Sequence, residues 1–318
     1  MRGPYERLTA RYPSIAVVVP VVLLVVIAIS AILAWRVFGF DWARSDGDPW
    51  NYLAAGERLN AGHPLYALSP GDRPVVIVAP YWTVPLLAPP PIAVFWRALA
   101  LLGESSMLLW GFAGLIGVLG SAIFLARHGA LLLVAILATD LALTVLSGNA
   151  SALILPMLIG AWAYRDRPWR AGALVAVPGA VKLLPLVLVL WLVVTGRWKA
   201  VIAALAVGVA ILVVSLFSAG PDAFVAWFES ARTAAPSPKS VAALTGLPTW
   251  LVVVAFAVPI VLLGRWDRWS FAAAILATAF ATPAHYFSAW ALLAALPVWR
   301  DHVHRVAGPD SARSFRRQ

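Results

Sequence analysis

From Ser14 to Trp35 the chain runs for 22 residues without a charge, and it returns to long apolar runs again and again after that. A run of that length is enough to cross roughly 30 Å of hydrocarbon. Further apolar runs cover about 86–103, 106–126, 130–146, 150–164, 171–195, 200–218, 248–263, 271–281 and 286–299. Of 318 residues, 62% are hydrophobic and 12% are charged, half the roughly 25% charge of an ordinary soluble domain. So much apolar surface cannot be hidden inside one soluble globule. The expected fold is therefore all-α. The chain reads as a single polytopic membrane domain over 1–318, with about nine to eleven transmembrane or half-embedded helices.

Charge sets the expected orientation. Arg2, Arg7 and Arg11 precede the first run, and Arg165/Arg167/Arg170, Arg197/Lys199, Arg265/Arg268 and the tail 300–318 are basic clusters between or after later runs. The positive-inside rule puts all of them on the cytoplasmic face. The net charge of +10 thus sits at helix ends and argues for lipid head groups, not nucleic acid. Segments 171–195 and 270–299 must then go out and come back, as must 130–164 if Arg127 and His128 are inside. Their return points are Ser147-Gly148-Asn149, the region of Lys182, and Thr282-Pro283-Ala284-His285-Tyr286, all expected on the outer side around one cavity. Segment 86–103, with Pro89-Pro90-Pro91 and Arg97, either crosses or is half-embedded.

Residues 37–85 are the longest polar stretch and hold five of the 14 acids: Asp41, Asp46, Asp48, Glu57 and Asp72. The stretch is expected to be the first extracytoplasmic loop, and 219–247 the second. Asp48-Pro49-Trp50 predicts a helix start, with Asp48 as N-cap and a stop at Gly62 and Pro64. Trp50, Leu53 and Leu59 give it an apolar face suited to a membrane surface. The acids either merely solubilise the loop and cap its helix, or one of them does chemistry. Asp140 and Lys182 lie inside apolar runs, where an ionisable group needs a partner or a cavity; a helix–helix hydrogen bond and snorkelling to a head group are the plain alternatives. His285 is a donor at a return point. The chain has no Cys, no phosphate-binding Gly-Lys-Ser/Thr loop, no His-Glu-x-x-His spacing and no Gly-x-Ser-x-Gly elbow. These absences speak against thiol chemistry, an ATP engine and a zinc protease or serine hydrolase.

Three stretches in this order resemble the GT-C type glycosyltransferases, and within them family 87, the polyprenol-phosphate-mannose-dependent α-mannosyltransferases and their relatives. The first is Asp48-x-x-x-Tyr52 followed by Gly62-His63-Pro64-Leu65-Tyr66. The second is Gly148-Asn149, where the family has Gly-Gln, with Arg170-Ala171-Gly172, Val181-Lys182-Leu183-Leu184-Pro185 and Gly196-Arg197-Trp198-Lys199. The third is Thr282 to Tyr286. The family's Tyr-Pro-Pro is here the looser Tyr81-Trp82-Thr83-Val84-Pro85, and the chain is shorter than most relatives. The resemblance implies transfer of a sugar, mannose first among the options, from a polyprenyl-phosphate donor to a hydroxyl of a glycolipid or glycan, with inversion. It implies Asp48 as general base, with Asp46 as the alternative. Lys182, His285 and Asn149 would hold the donor phosphate, and Tyr52, Tyr66, Tyr286 and Asp140 would contact substrate. A lipid-linked sugar is pre-activated, so no cofactor and no metal are expected. The implied setting is a bacterial plasma membrane, with a monomer whose active site faces outward and whose partners are the bilayer, the donor and the acceptor. A transporter or flippase, or an inactive relative that binds polyprenyl phosphate, are the competing readings.

Overall fold

A computed structural model describes Val21, Val25 and residues 47–75, 84–283 and 287–297. All of the predicted first helix but Val21 and Val25, together with Asp46, His285, Tyr286 and the basic tail, lies outside the described residues. Among the described residues the fold is all-helical. From residue 47 on, the described helices are α1 (Asp48–Ala61) and α2 (Pro90–Ala100), followed by α3 (Ser105–Arg127), α4 (Leu131–Ile136), α5 (Ala138–Leu146) and α6 (Ser151–Ala163). Next come α7 (Pro168–Val181), a 3-10 turn at Leu184–Leu186, α8 (Val187–Val194), α9 (Trp198–Ala219) and α10 (Pro221–Thr233). The chain continues through α11 (Val241–Thr245), α12 (Thr249–Leu262), α13 (Asp267–Phe280), α14 (Phe287–Ala291) and a 3-10 turn at Leu292–Ala295.

Among the described residues, only α3 and α9, of 23 and 22 residues, are long and apolar enough to cross a membrane unaided. At 1.5 Å per residue each spans about 33–35 Å. α9 leaves Ile202, Leu205, Val209 and Phe217 exposed, and α3 leaves Leu108, Phe112 and Ile116 exposed. The other apolar runs are broken into shorter legs, and the breaks are chemical. Lys182 ends α7 in extended conformation, φ −136° and ψ 127°, just after Pro178 has removed a helical N–H. Gly148 ends the α5 leg at φ +60°, a left-handed conformation that costs a residue with a Cβ about 1–2 kcal/mol.

The legs double back. Arg197 makes a two-pronged ion pair with Asp267 at 2.7 and 2.8 Å, and Arg165 lies 3.5 Å from the same carboxylate. Trp191 Nε1 donates to Asp267 at 2.9 Å. The ends of α6 and α8 and the start of α13 therefore meet at one basic end of the bundle. The Arg268 guanidinium donates to the carbonyl of Pro297, so the last leg returns there too. α7 and α9 leave this end side by side: a Cβ on Gly172 would fall 2.6 Å from the Ala200 carbonyl and the Ala203 Cβ. α3 runs toward this end alongside α6, and a Cβ on Gly117 would meet the Ala152 carbonyl at 2.8 Å.

The opposite end carries α1 and α2. α2 has 11 residues, about 16 Å, half of what a span needs, so 86–103 does not cross as one helix. It lies against α1, with Trp96 fully buried, and a Cβ on Gly56 would sit 2.6 Å from the Trp96 carbonyl. Asn60 and Arg97 exchange hydrogen bonds, and Arg97 reaches Ser218 Oγ at 2.8 Å, at the far end of α9. The stretch 219–247 is not open loop: it folds into α10 and α11, and Ser237 N–H donates to the Pro283 carbonyl at 2.8 Å.

Candidate active site

α1 begins one residue earlier than its capping pattern predicts. Gly47 is the N-cap, with no side-chain cap, and Asp48 is the first helical residue with Pro49 behind it. The Asp48 carboxylate is thereby free of capping and turns to the core of the bundle. One of its oxygens, Oδ2, accepts from Asn149 Nδ2 at 2.7 Å and from the Tyr52 hydroxyl at 3.4 Å. Tyr52 is four residues on, on the same helix face. Its buried ring is fixed between Trp96 and Trp110, with centroids 5.9 and 5.8 Å away.

Asn149 stands at the Gly148 turn. A Cβ at Gly148 would fall 2.1 Å from Pro49 Cγ, so only glycine lets the turn press against the start of α1. Trp110 Nε1 donates to the Gly148 carbonyl at 2.7 Å and holds the turn from below. Asn149 Oδ1 accepts from Lys182 Nζ at 2.7 Å and from the Ser151 backbone N–H at 2.9 Å. Lys182 Nζ also donates to Ser151 Oγ at 2.9 Å. Two donors on Oδ1 and an acceptor at Nδ2 fix the amide orientation. Lys182 thus points inward to a partner and not out to a head group, and its charge meets Asp48 through the amide between them.

These residues line a cavity of about 440 Å³. Asp48, Asn51, Tyr52, Asn149, Ser151 and Lys182 form a polar wall, with Thr278, Thr282 and Ser288 nearby. Val84 to Pro89, Leu183 to Pro185, Val253 and Leu292 form an apolar one, closed by Trp227 of α10. The Asn51 side-chain oxygen is buried in this wall without a donor. Burial pushes the Asp48 pKa up from the usual carboxylate value, while the Lys182 charge and the Tyr52 hydroxyl pull against it. Burial and the neighbouring Asp48 charge hold the Tyr52 phenol well above its ordinary value.

The structure brings together Asp48, Tyr52, Asn149 and Lys182 from the sequence expectation. It does not bring in Tyr66, whose hydroxyl donates to the Ala88 carbonyl at 2.7 Å and ties the loop down. Asp140 is also elsewhere: it lies half-buried in the first turn of α5, away from the cavity, where a negative charge suits the helix N-terminus. Asp46, His285 and Tyr286 lie outside the described residues, although Thr282 and Pro283 of the same motif line the cavity. Sequence reasoning missed Ser151, Asn51 and Trp227. Ser151 had a signal, since it sits two residues after Asn149 where α6 begins.

A family model, glycosyltransferase family 87, matches residues 87–296. No curated protein and no solved structure matches the chain. The match takes in Asn149, Ser151 and Lys182, and Asp48 and Tyr52 precede it.

Proposed function

Since the chain belongs to glycosyltransferase family 87, and is a glycosyltransferase on that ground, we propose that it moves a sugar, mannose first among the candidates, from polyprenyl phosphate to a hydroxyl of a glycolipid or glycan. The observation that carries this reading is the Asp48–Asn149–Lys182 chain along one wall of a cavity whose other wall is apolar. A carboxylate and an ammonium held apart by an amide suit the two ends of a displacement. At one end Asp48 takes the proton of the acceptor hydroxyl as its oxygen bonds to the anomeric carbon. At the other, the bond from that carbon to the phosphate oxygen breaks, and polyprenyl phosphate leaves with its electron pair. Attack and departure on opposite faces invert the sugar.

The residues present match these tasks. A base works best when its pKa approaches the working pH, and burial moves Asp48 in that direction. The leaving phosphate is already anionic, so it needs donors and positive charge, not an acid. Lys182 and the Ser151 hydroxyl supply them. Val84 to Pro89 and Leu183 to Pro185 offer apolar contact for the first prenyl units. Asp46, two residues before Asp48, is the alternative base, and His285 is a further donor to the phosphate.

The membrane assignment extends the same reading. Exposed apolar side chains on α3 and α9 favour lipid over water. The basic end around Arg165, Arg197 and Arg268 would face the cytoplasm of a bacterial cell, and the Asp48 cavity the outside. The test is transfer from labelled polyprenyl-phosphate-mannose to a lipid acceptor extract, by wild type and Asp48→Asn. Product from wild type alone supports the reading. Equal turnover by both rejects Asp48 as base.

A further inference from the structure

Asn51 lines the same cavity as Asp48, and the proposed reaction gives it no task. It comes three residues after Asp48, and side chains at that spacing are neighbours on one helix face, with Cβ atoms about 5–6 Å apart. Yet it bonds neither Asp48 nor Asn149. The Asp48 carboxylate accepts from Asn149 and Tyr52, and the Asn149 oxygen accepts from Lys182 and the Ser151 N–H. The Gly148 turn that carries Asn149 presses on Pro49 at the start of α1, and Asn51 follows further along the helix. Asn51 therefore stands beside the base and outside the chain that leads from it to the ammonium.

The two ends of its amide are in different places. Oδ1 is buried and has no donor. Nδ2 has no partner among the described residues either, but it is not buried, and the side chain is partly exposed where it lines the cavity. Turning the amide over by 180° exchanges the two ends and pairs neither. An amide kept only for packing would have partners, because an unmet buried polar atom destabilises a fold. A leucine of similar size would fill the place without that cost. It would not offer the cavity a hydrogen-bonding group next to Asp48.

The partner that fits is a hydroxyl. It accepts from an amide N–H and donates to an amide oxygen, so either orientation of Asn51 binds it. Two hydroxyls on adjacent carbons of a sugar ring can each reach one of two neighbouring side chains. We propose that Asn51 is the specificity residue for the acceptor: its amide bonds the hydroxyl beside the one that Asp48 deprotonates, and so fixes which hydroxyl of the acceptor sugar receives the new bond. The idea rests on the proposed sugar transfer. Taking away either the hydroxyl or the amide leaves the other unpaired, which should lower acceptor affinity about tenfold or more.

The test uses the full chain in detergent. Methyl glycosides of mannose, glucose, galactose and arabinofuranose are the acceptor probes, and the tightest binder is carried into its monodeoxy series. Binding is read by saturation-transfer NMR. Transfer from labelled polyprenyl-phosphate-mannose to a lipid acceptor extract is read with the linkage of the product. Wild type should make one linkage, and should bind the analogue that lacks the hydroxyl next to that linkage about tenfold or more weakly. Asn51→Leu should bind the parent glycoside about tenfold more weakly and no longer tell that analogue from it. Its donor KM should hold within about twofold, and its product should be of mixed linkage. It should melt no lower than wild type, since the unpaired oxygen is gone. Asn51→Ala repeats the comparison if Asn51→Leu does not fold. Discrimination that survives in the variant overturns the proposal, as does a raised donor KM with unchanged glycoside binding. So does glycoside binding that the donor displaces, or no glycoside binding at all. No transfer by wild type, with glycoside binding that Asn51→Leu still weakens, rejects the proposed reaction and leaves Asn51 as a sugar-binding residue.

Discussion

Asn149 and Asp48 lie 101 residues apart in the chain and share a hydrogen bond of 2.7 Å. The contact joins the polar loop to the helical hairpins matched by the family. Asn149 is itself held by Lys182 and by the Ser151 N–H, so its amide fixes where the Asp48 carboxylate points. A hydrogen bond to a charged group contributes about 1.5–3 kcal/mol, or roughly 10- to 150-fold in rate if it is felt only in the transition state. Asn149→Ala should therefore lower kcat by about that factor and leave the acceptor KM nearly unchanged. Asn149→Gln, which restores the residue seen at the matching place in the resembling family, should recover part of the loss. Equal inactivity of the two variants would argue against an aiming role.

The pH dependence has a definite sign. With the Asp48 pKa raised in the folded protein, the base is lost as pH falls through that raised value. The acid limb of kcat/KM should lie above the ordinary carboxylate range near 4. Stability runs the other way. Between the unfolded and folded pKa values the native state binds more protons, so stability falls as pH rises through this window and stays lower above it. Asp48→Asn removes the ionisation and should melt no lower than wild type at neutral pH, while lacking activity. A pH profile flat down to pH 4 would contradict the assignment.

Lys182→Met keeps the length of the side chain and removes its charge. It should raise the donor KM by tenfold or more and leave the acceptor KM within about twofold. Competition by free polyprenyl phosphate should weaken in parallel, since the same ammonium would hold product. An unchanged donor KM would leave Lys182 as a structural partner of Asn149 and Ser151.

Asp267 gathers Arg165, Arg197 and Trp191 at the basic end, far from the cavity. Asp267→Ala leaves two guanidinium groups and an indole N–H short of their acceptor. The loss of a two-pronged pair to a partly exposed carboxylate should cost about 2 kcal/mol or more. Thermal melting in detergent should drop by several degrees, with activity per folded molecule retained. Loss of activity at full stability would mean that the two ends are coupled.

Much of this layout is written in the sequence. The basic clusters at Arg165, Arg197 and Arg268 mark ends that meet, and Gly148 and Lys182 mark the places where legs turn back. These are strong local signals: a glycine at a left-handed φ, and charges where apolar runs stop. Other parts were not legible. Ser151 looks like any small helix-start residue until Lys182 arrives from another hairpin. Tyr66 and Tyr52 are equivalent as letters in a loop motif, yet packing sends one hydroxyl to the Ala88 carbonyl and the other to Asp48. Aspartate caps well in isolation, but here the Asp48 carboxylate bonds to Asn149 and Gly47 takes the N-cap position. Asp140 has an ionisable side chain inside an apolar run, but its place in the first turn of α5 already accounts for the charge.

The most direct test of the central claim is single-turnover transfer from labelled polyprenyl-phosphate-mannose by purified wild type and Asp48→Asn, with donor binding measured on the same samples. The account predicts transfer by wild type, loss of at least a thousandfold in the variant, and donor affinity alike in both. Comparable transfer by the two proteins would contradict it.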